Sequence, residues 1–116
     1  MLTAFSFTDK GNVKQQNEDR VFSKVMIGED SKGVIAIADG MGGYERGEEY
    51  SQLAIQYLRE CLRDIDLKND LTLQFNELFK HIHEEIKIRN ISNDSKGGTT
   101  LTIALIINDK LHVYNI

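Results

Sequence analysis

Residues 33–43 read Gly33-Val34-Ile35-Ala36-Ile37-Ala38-Asp39-Gly40-Met41-Gly42-Gly43. The first six form an apolar run of strand length, rich in β-branched side chains, which predicts a buried strand. An aspartate and a glycine-rich segment follow at once. Because glycine lets the backbone approach a ligand closely, a carboxylate at the end of a buried strand is a typical position for a functional site. We therefore expect the fold to place Asp39 at the mouth of this strand.

Length and composition limit the function classes. The chain has 116 residues, which suits one domain at most, and 41% of them are hydrophobic, enough for a packed core. The formal net charge of −4 gives no reason to expect nucleic-acid binding or attachment to an anionic membrane. The single cysteine, Cys61, excludes an internal disulfide. There is no apolar run of roughly 18 residues and no secretory signal pattern. We predict a soluble, cytoplasmic protein.

The segment before the apolar run has β character. Residues 3–8 alternate aromatic with small or polar side chains, which predicts a half-buried strand. A second strand is predicted at 20–27, and the loop 28–33 returns the chain into the apolar run. Alternate residues of the second strand share one face: Val21, Ser23 and Val25. The first forty residues are thus predicted to be all β.

Downstream of Gly47 the hydrophobic period becomes helical. One apolar stripe consists of Tyr50, Leu53, Ala54, Tyr57, Leu58, Cys61 and Leu62. A second helix is predicted to begin after a cap at Asn69 or Asp70 and to end within residues 90–95. Its stripe consists of Leu71, Phe75, Leu78, Phe79, Ile82 and Ile86. Two adjacent amphipathic helices are expected to cover the sheet.

The last part of the chain predicts a β-hairpin. Residues 101–107 form a strongly β-branched strand, Asn108-Asp109 a compact turn, and residues 111–116 the returning strand. The strand pattern is still running at Ile116, which would leave an unpaired edge. We therefore expect an incomplete domain.

Three carboxylates are the strongest candidates for chemistry. Glu18 and Asp19 precede one predicted strand and Asp39 follows the next, so the two clusters can meet at one end of a sheet. Oxygen ligands without nearby cysteine or histidine suit Mg²⁺ or Mn²⁺, and the Gly40 carbonyl could join them. The alternative is that Glu18 and Asp19 are solvated loop charges and Asp39-Gly40 is a turn. Spacing alone favours that alternative.

The order of several short motifs favours a metal site over solvated loop charges. They are Asp9-x-Gly11, Asn17-Glu18-Asp19, Ala38-Asp39-Gly40-Met41-Gly42-Gly43, Gly47-Glu48, Ser51 and Gly98-Thr99-Thr100. Together they resemble the N-terminal half of the metal-dependent protein phosphatase family, type 2C (PPM). The resemblance runs from about Phe7 to Ile116.

The resemblance implies an α+β fold, a β-sandwich with helices packed on the outer faces (αββα), incomplete in this chain. Residues 1–116 would be the N-terminal half of a single phosphatase domain. Members of the family hydrolyse phosphoserine and phosphothreonine with two or more Mg²⁺ or Mn²⁺ ions, which activate a water for direct attack on phosphorus. The implied partners are phosphorylated proteins and a serine/threonine kinase pathway.

The resemblance also implies roles for individual residues. Asp39 would bridge two metals, Glu18 and the Gly40 carbonyl would ligate one of them, and Asp19 would hold metal-bound water. Lys14 stands where the family usually has an arginine that grips the substrate phosphate. Lysine keeps the charge but loses the planar bidentate fork. The family's further metal-binding aspartates come later in sequence than Ile116.

Two functional hypotheses therefore remain open. The first is a serine/threonine phosphatase represented by its N-terminal half. The second is a catalytically inactive fragment or pseudophosphatase that acts only as an interaction module.

Four side chains outside this site are interpreted as structural or solvated residues. His81 and His83 are two positions apart on a helix and are expected to be solvated. Cys61 lies on an apolar stripe and is expected to pack in the core. Tyr50, where the family usually has a small residue, is expected to alter helix packing.

Overall fold

The computed structural model describes residues 2–12, 14, 16–26, 32–42 and 46–116. Ile27, most of the loop predicted at 28–33, and Gly43 of the glycine-rich motif lie outside the described residues.

The described residues form one antiparallel sheet and two helices. The strands are β1 (Asp19–Met26), β2 (Lys32–Met41), β3 (Gly98–Thr99), β4 (Thr102–Ile107) and β5 (Lys110–Asn115), and the helices are α1 (Arg46–Asp64) and α2 (Leu71–Asn93). The sheet order is β1-β2-β4-β5, and the short β3 pairs with the end of β2. This architecture confirms the predicted α+β class.

β2 is an inner strand, between β1 and β4, but only one of its faces is buried. Val34, Ala36 and Ala38 are at most 1% exposed, whereas Ile35 and Ile37 are 42% and 51% exposed. The expectation of a buried strand therefore holds for the helix-facing side alone. The strand also continues past Asp39 to Met41, so Asp39 belongs to its last residues and does not follow them.

Both helices pack on the buried face. The largest fully buried side chains include Leu58, Phe75, Ile82, Leu101, Ile103 and Leu105. Asp70 caps α2 by accepting a hydrogen bond from the Leu73 N–H at 3.1 Å, as predicted. Cys61 is half-buried at the edge of this core, and burial raises the pKa of its thiol. The core thus confirms the packing role predicted for the cysteine.

The opposite face of the sheet is apolar and open. Strand register places Ile35 between Ser23 and Ala104, and Ala104 beside Val113. The exposed hydrophobic side chains of this open face are Val25, Ile35, Ile37, Leu111 and Val113. No helix or strand among the described residues covers them. Apolar patches of this kind usually mark a surface that another structure covers.

The strand predicted at residues 3–8 is absent, so that prediction is wrong. Residues 3–8 form no helix or strand, and Phe5 is 92% and Phe7 81% exposed. A strand needs a neighbour to accept and donate its backbone hydrogen bonds. None of the described strands pairs with this segment.

Neither described helix has the length and apolar character needed to cross a bilayer.

Candidate metal centre

The sheet register brings two predicted site carboxylates together. Asp19, the first residue of β1, is the direct partner of Asp39 on β2. Partial burial raises the pKa of Asp19, and the negative charge of Asp39 and a hydrogen bond with it raise that pKa further. The Lys14 ammonium acts in the opposite direction. The pair is therefore a concentration of negative charge that a cation would stabilise.

Polar contacts hold the start of β1 in place. Asn17 accepts a hydrogen bond from the Asp19 N–H at 3.0 Å, and its amide donates to the Thr8 hydroxyl at 2.8 Å. Arg20 donates to the carbonyl oxygens of Asn17 and Asp19, both at 2.8 Å, and forms an ion pair with Glu48 of α1. Sequence reasoning missed the positioning roles of Asn17 and Arg20. The only signal was that Asn17 and Glu48 belong to the quoted motifs.

Glycines let Glu18, β2 and α1 come into contact. The Gly40 N–H donates to the Glu18 carbonyl oxygen at 3.2 Å. A Cβ on Gly40 would lie 2.9 Å from that oxygen and would collide with the Gly47 carbonyl. A Cβ on Gly47 would collide with the Glu18 carboxylate. This carboxylate thus lies against the first turn of α1, where the helix dipole favours negative charge.

Thr100 fixes the backbone of Asp39. The Asp39 N–H donates to the Thr100 hydroxyl at 3.1 Å, and the Thr100 N–H donates to the Asp39 carbonyl oxygen at 2.9 Å. The adjacent β3 pairs Thr99 with Gly40 and Gly98 with Met41. The motif at residues 98–100 therefore anchors the end of β2. The sequence singled out this motif but did not show that it contacts Asp39.

The candidate residues are brought close together at one end of the sheet. Asp19 and Asp39 lie together, Lys14 acts on Asp19 from an exposed position, and Glu18 and Gly40 are joined through the backbone. Across the described ranges, no group of three or more His, Cys, Asp or Glu side chains is arranged to hold a metal ion. The donors are all oxygens, so their chemistry fits Mg²⁺ or Mn²⁺.

The two helix histidines lie away from this site and are exposed, as predicted. His81 packs edge-on against the ring of Tyr57, with 5.2 Å between ring centroids. They are not among the candidate ligands.

Comparison with known proteins assigns the family. The profile described as Protein phosphatase 2C matches residues 3–116. The chain is 25% identical to the serine/threonine phosphatase stp of Listeria monocytogenes, a match over 94% of this chain and 44% of that protein. It is 32% identical to the serine/threonine protein phosphatase PstP of Mycobacterium tuberculosis, over 94% of this chain and 20% of that protein. The chain thus spans less than half the length of these relatives.

A solved structure gives the same answer for the fold. The crystal structure of the catalytic domain of PstP in complex with two manganese ions superposes with a TM-score of 0.75 at 32% identity. The match covers 93% of this chain and 44% of that domain. The sheet and helices described above therefore correspond to part of that catalytic domain. This chain belongs to the protein phosphatase 2C family.

Proposed function

We propose that this chain provides part of the metal centre of a serine/threonine protein phosphatase. The observation that carries the proposal is the Asp19–Asp39 carboxylate pair at one end of the β1–β2 ladder, with Asp39 anchored by Thr100. Its proposed substrates are proteins phosphorylated on serine or threonine, and the proposed cofactor is Mg²⁺ or Mn²⁺. The names of the relatives stp and PstP support this substrate class.

We assign a separate role in metal and water binding to each residue of the candidate site. Asp39, Glu18 and the Gly40 carbonyl would ligate metal, and Asp19 would orient water by accepting its hydrogen bond. When bound, the ions would lower the pKa of a water and stabilise charge on the phosphoryl oxygens. The pairing of Asp19 with Asp39 supports this division, and we expect metal binding to need little reorganisation of Asp39.

Lys14 is the proposed phosphate-binding residue. Its side chain is exposed and its charge acts on Asp19, so it stands within electrostatic range of the carboxylate pair. An ammonium binds phosphate as a point charge and does not fix its orientation as a guanidinium does. We therefore expect Lys14 to attract the substrate phosphate electrostatically but to do little to fix its orientation.

The relatives are more than twice as long as the matched region, and we propose that turnover needs carboxylates from the part of the domain that this region does not include. The second candidate function is a non-catalytic interaction module. The open apolar face of the sheet favours that candidate, because it offers a surface for another polypeptide. A serine/threonine kinase pathway as partner and a cytoplasmic location are also proposals.

The test is hydrolysis of a phosphothreonine peptide by the full natural protein that contains this sequence. We expect release of phosphate that needs Mn²⁺ and stops with chelator. Asp39→Asn should lower the rate more than about 100-fold, since even outer-shell partners of metal ligands cost 10- to 100-fold. Asp109→Asn, at an exposed hairpin turn, is the matched control. Equal rates for the two variants would refute the assignment of Asp39, and a wild-type protein without turnover would favour the interaction module.

A further inference from the structure

A polar cluster inside the fold connects the two helices to the backbone that holds Asp39. It begins at Tyr50 of α1, whose side chain is fully buried. The Tyr50 hydroxyl donates to Asn90 Oδ1 of α2 at 2.6 Å and lies 3.3 Å from the Ser95 hydroxyl. Buried polar groups persist when they are hydrogen-bonded, and this one is.

Asn90 continues the cluster to Gly97. Its Oδ1 accepts the Gly97 N–H at 3.0 Å, and its Nδ2 donates to the Gly97 carbonyl oxygen at 2.8 Å. The Ser95 hydroxyl donates to the same Oδ1 at 2.9 Å. The amide thus satisfies both backbone groups of Gly97, as a neighbouring strand would. Gly97 is fixed immediately before β3 begins.

Shape reinforces these hydrogen bonds. A Cβ on Gly97 would lie 2.8 Å from Cδ2 of the Tyr50 ring and 3.0 Å from the Met41 carbonyl oxygen. Only glycine lets the backbone pass between the ring and β2. The bulky residue at position 50 and the absent side chain at position 97 therefore fit each other.

The cluster ends at the proposed metal ligand. Gly97 leads through β3 to Thr100, which exchanges hydrogen bonds with the backbone of Asp39 on both sides. We propose that Tyr50 and Asn90 are positioning residues that hold residues 97–100 so that Thr100 fixes Asp39. The inference rests on the proposed function in one respect, the assignment of Asp39 as a metal ligand.

Amide hydrogen exchange in the full natural protein that contains this sequence, read residue by residue by NMR, tests the proposal. Tyr50→Phe removes only the hydroxyl. Loss of a hydrogen bond of ordinary strength corresponds to about tenfold faster amide exchange. We expect this acceleration at the Gly97 and Thr100 amides, measured against the amides of the β1–β2 ladder as an internal reference. Tyr57→Phe is the matched control, because Tyr57 is on the same helix and lies outside the cluster. Ser95→Ala should accelerate the same amides by a smaller factor.

Two results would overturn the proposal. One is acceleration spread equally over the β1–β2 ladder, which would mean general destabilisation. The other is acceleration at Gly97 and Thr100 no greater than Tyr57→Phe produces. Neither result depends on metal or substrate, so the exchange experiment stands whether or not the protein is a phosphatase.

The Mn²⁺ dependence of the phosphatase rate tests whether the polar cluster affects the proposed metal site. In the full natural protein, Tyr50→Phe should raise the Mn²⁺ concentration for half-maximal rate about tenfold, as outer-shell changes do, with KM for the phosphopeptide unchanged. Equal changes in both quantities would contradict positioning through Asp39. If the wild-type protein shows no turnover, the proposed function fails while the exchange result still decides the positioning role.

Discussion

Neutralising one carboxylate of the Asp19–Asp39 pair should stabilise the metal-free chain. Two like charges about 4 Å apart repel by about 1 kcal/mol in water and about 4 kcal/mol at an effective dielectric constant of 20. Asp19 is only half-buried and Asp39 is exposed, so the lower figure applies. The loss of attraction between Lys14 and Asp19 opposes the gain. Asp19→Asn keeps the shape and can donate to Asp39, and we expect it to raise the free energy of unfolding by about 1 kcal/mol at pH 7.

The sign of the pH dependence follows from the raised pKa of Asp19. The folded state binds this proton more tightly than the unfolded state, so stability falls as pH rises from the unfolded pKa through the folded one. The unfolded value is about 3.9. The advantage of Asp19→Asn should therefore be present at pH 7 and absent near pH 3, where the carboxyl is protonated in both states.

Urea unfolding followed by far-ultraviolet circular dichroism, with chelator and at low micromolar concentration, measures this difference. Asp109→Asn is the control and should stay within about 0.5 kcal/mol of wild type. Destabilisation by Asp19→Asn at pH 7, or the same gain at pH 3, would refute the charge-pair reasoning.

Two further predictions concern packing and the open face. Gly40→Ala should destabilise the chain by about 3 kcal/mol or more, because its Cβ meets backbone that cannot rotate away. Gly98→Ala, whose nearest neighbour is the flexible end of Met41 at 3.8 Å, should cost much less in the same urea experiment, and equal costs would contradict the close approach. The chain should self-associate through its open sheet face, and Ile37→Thr combined with Val113→Thr should lower the average mass in sedimentation equilibrium. A wild-type chain that stays monomeric at high concentration would contradict this.

Local patterns were enough to predict most elements. Hydrophobic period gave both helices, the inner strand β2 and the terminal hairpin, and side-chain chemistry gave the Asp70 cap. The pattern could not show that one face of β2 is open, because Ile35 and Ile37 are as apolar as the buried residues that alternate with them along the strand. The segment at 3–8 has a strand pattern, but a strand also needs a partner, and composition does not show whether one is present.

The site was predictable as a set of residues, mainly through the resemblance to a family. The strand pattern also indicated that Glu18 and Asp19 could meet Asp39 at one end of a sheet, but the exact contacts were not predictable, because they join distant parts of the chain. The pairing of Asp19 with Asp39 follows from strand register, and the anchoring by Thr100 joins residues 61 positions apart. Tyr50 and Asn90 are 40 positions apart, so their contact requires the packing of the two helices.

The most direct test of the central claim is the position of Mn²⁺ in crystals of the full natural protein that contains this sequence. Anomalous scattering at the manganese edge identifies the ion independently of activity. We predict a peak within about 2–2.6 Å of an Asp39 carboxylate oxygen, the range of oxygen ligands around hard divalent cations, and next to the Gly40 carbonyl. A manganese peak elsewhere in the protein, with none beside Asp39, would contradict the account.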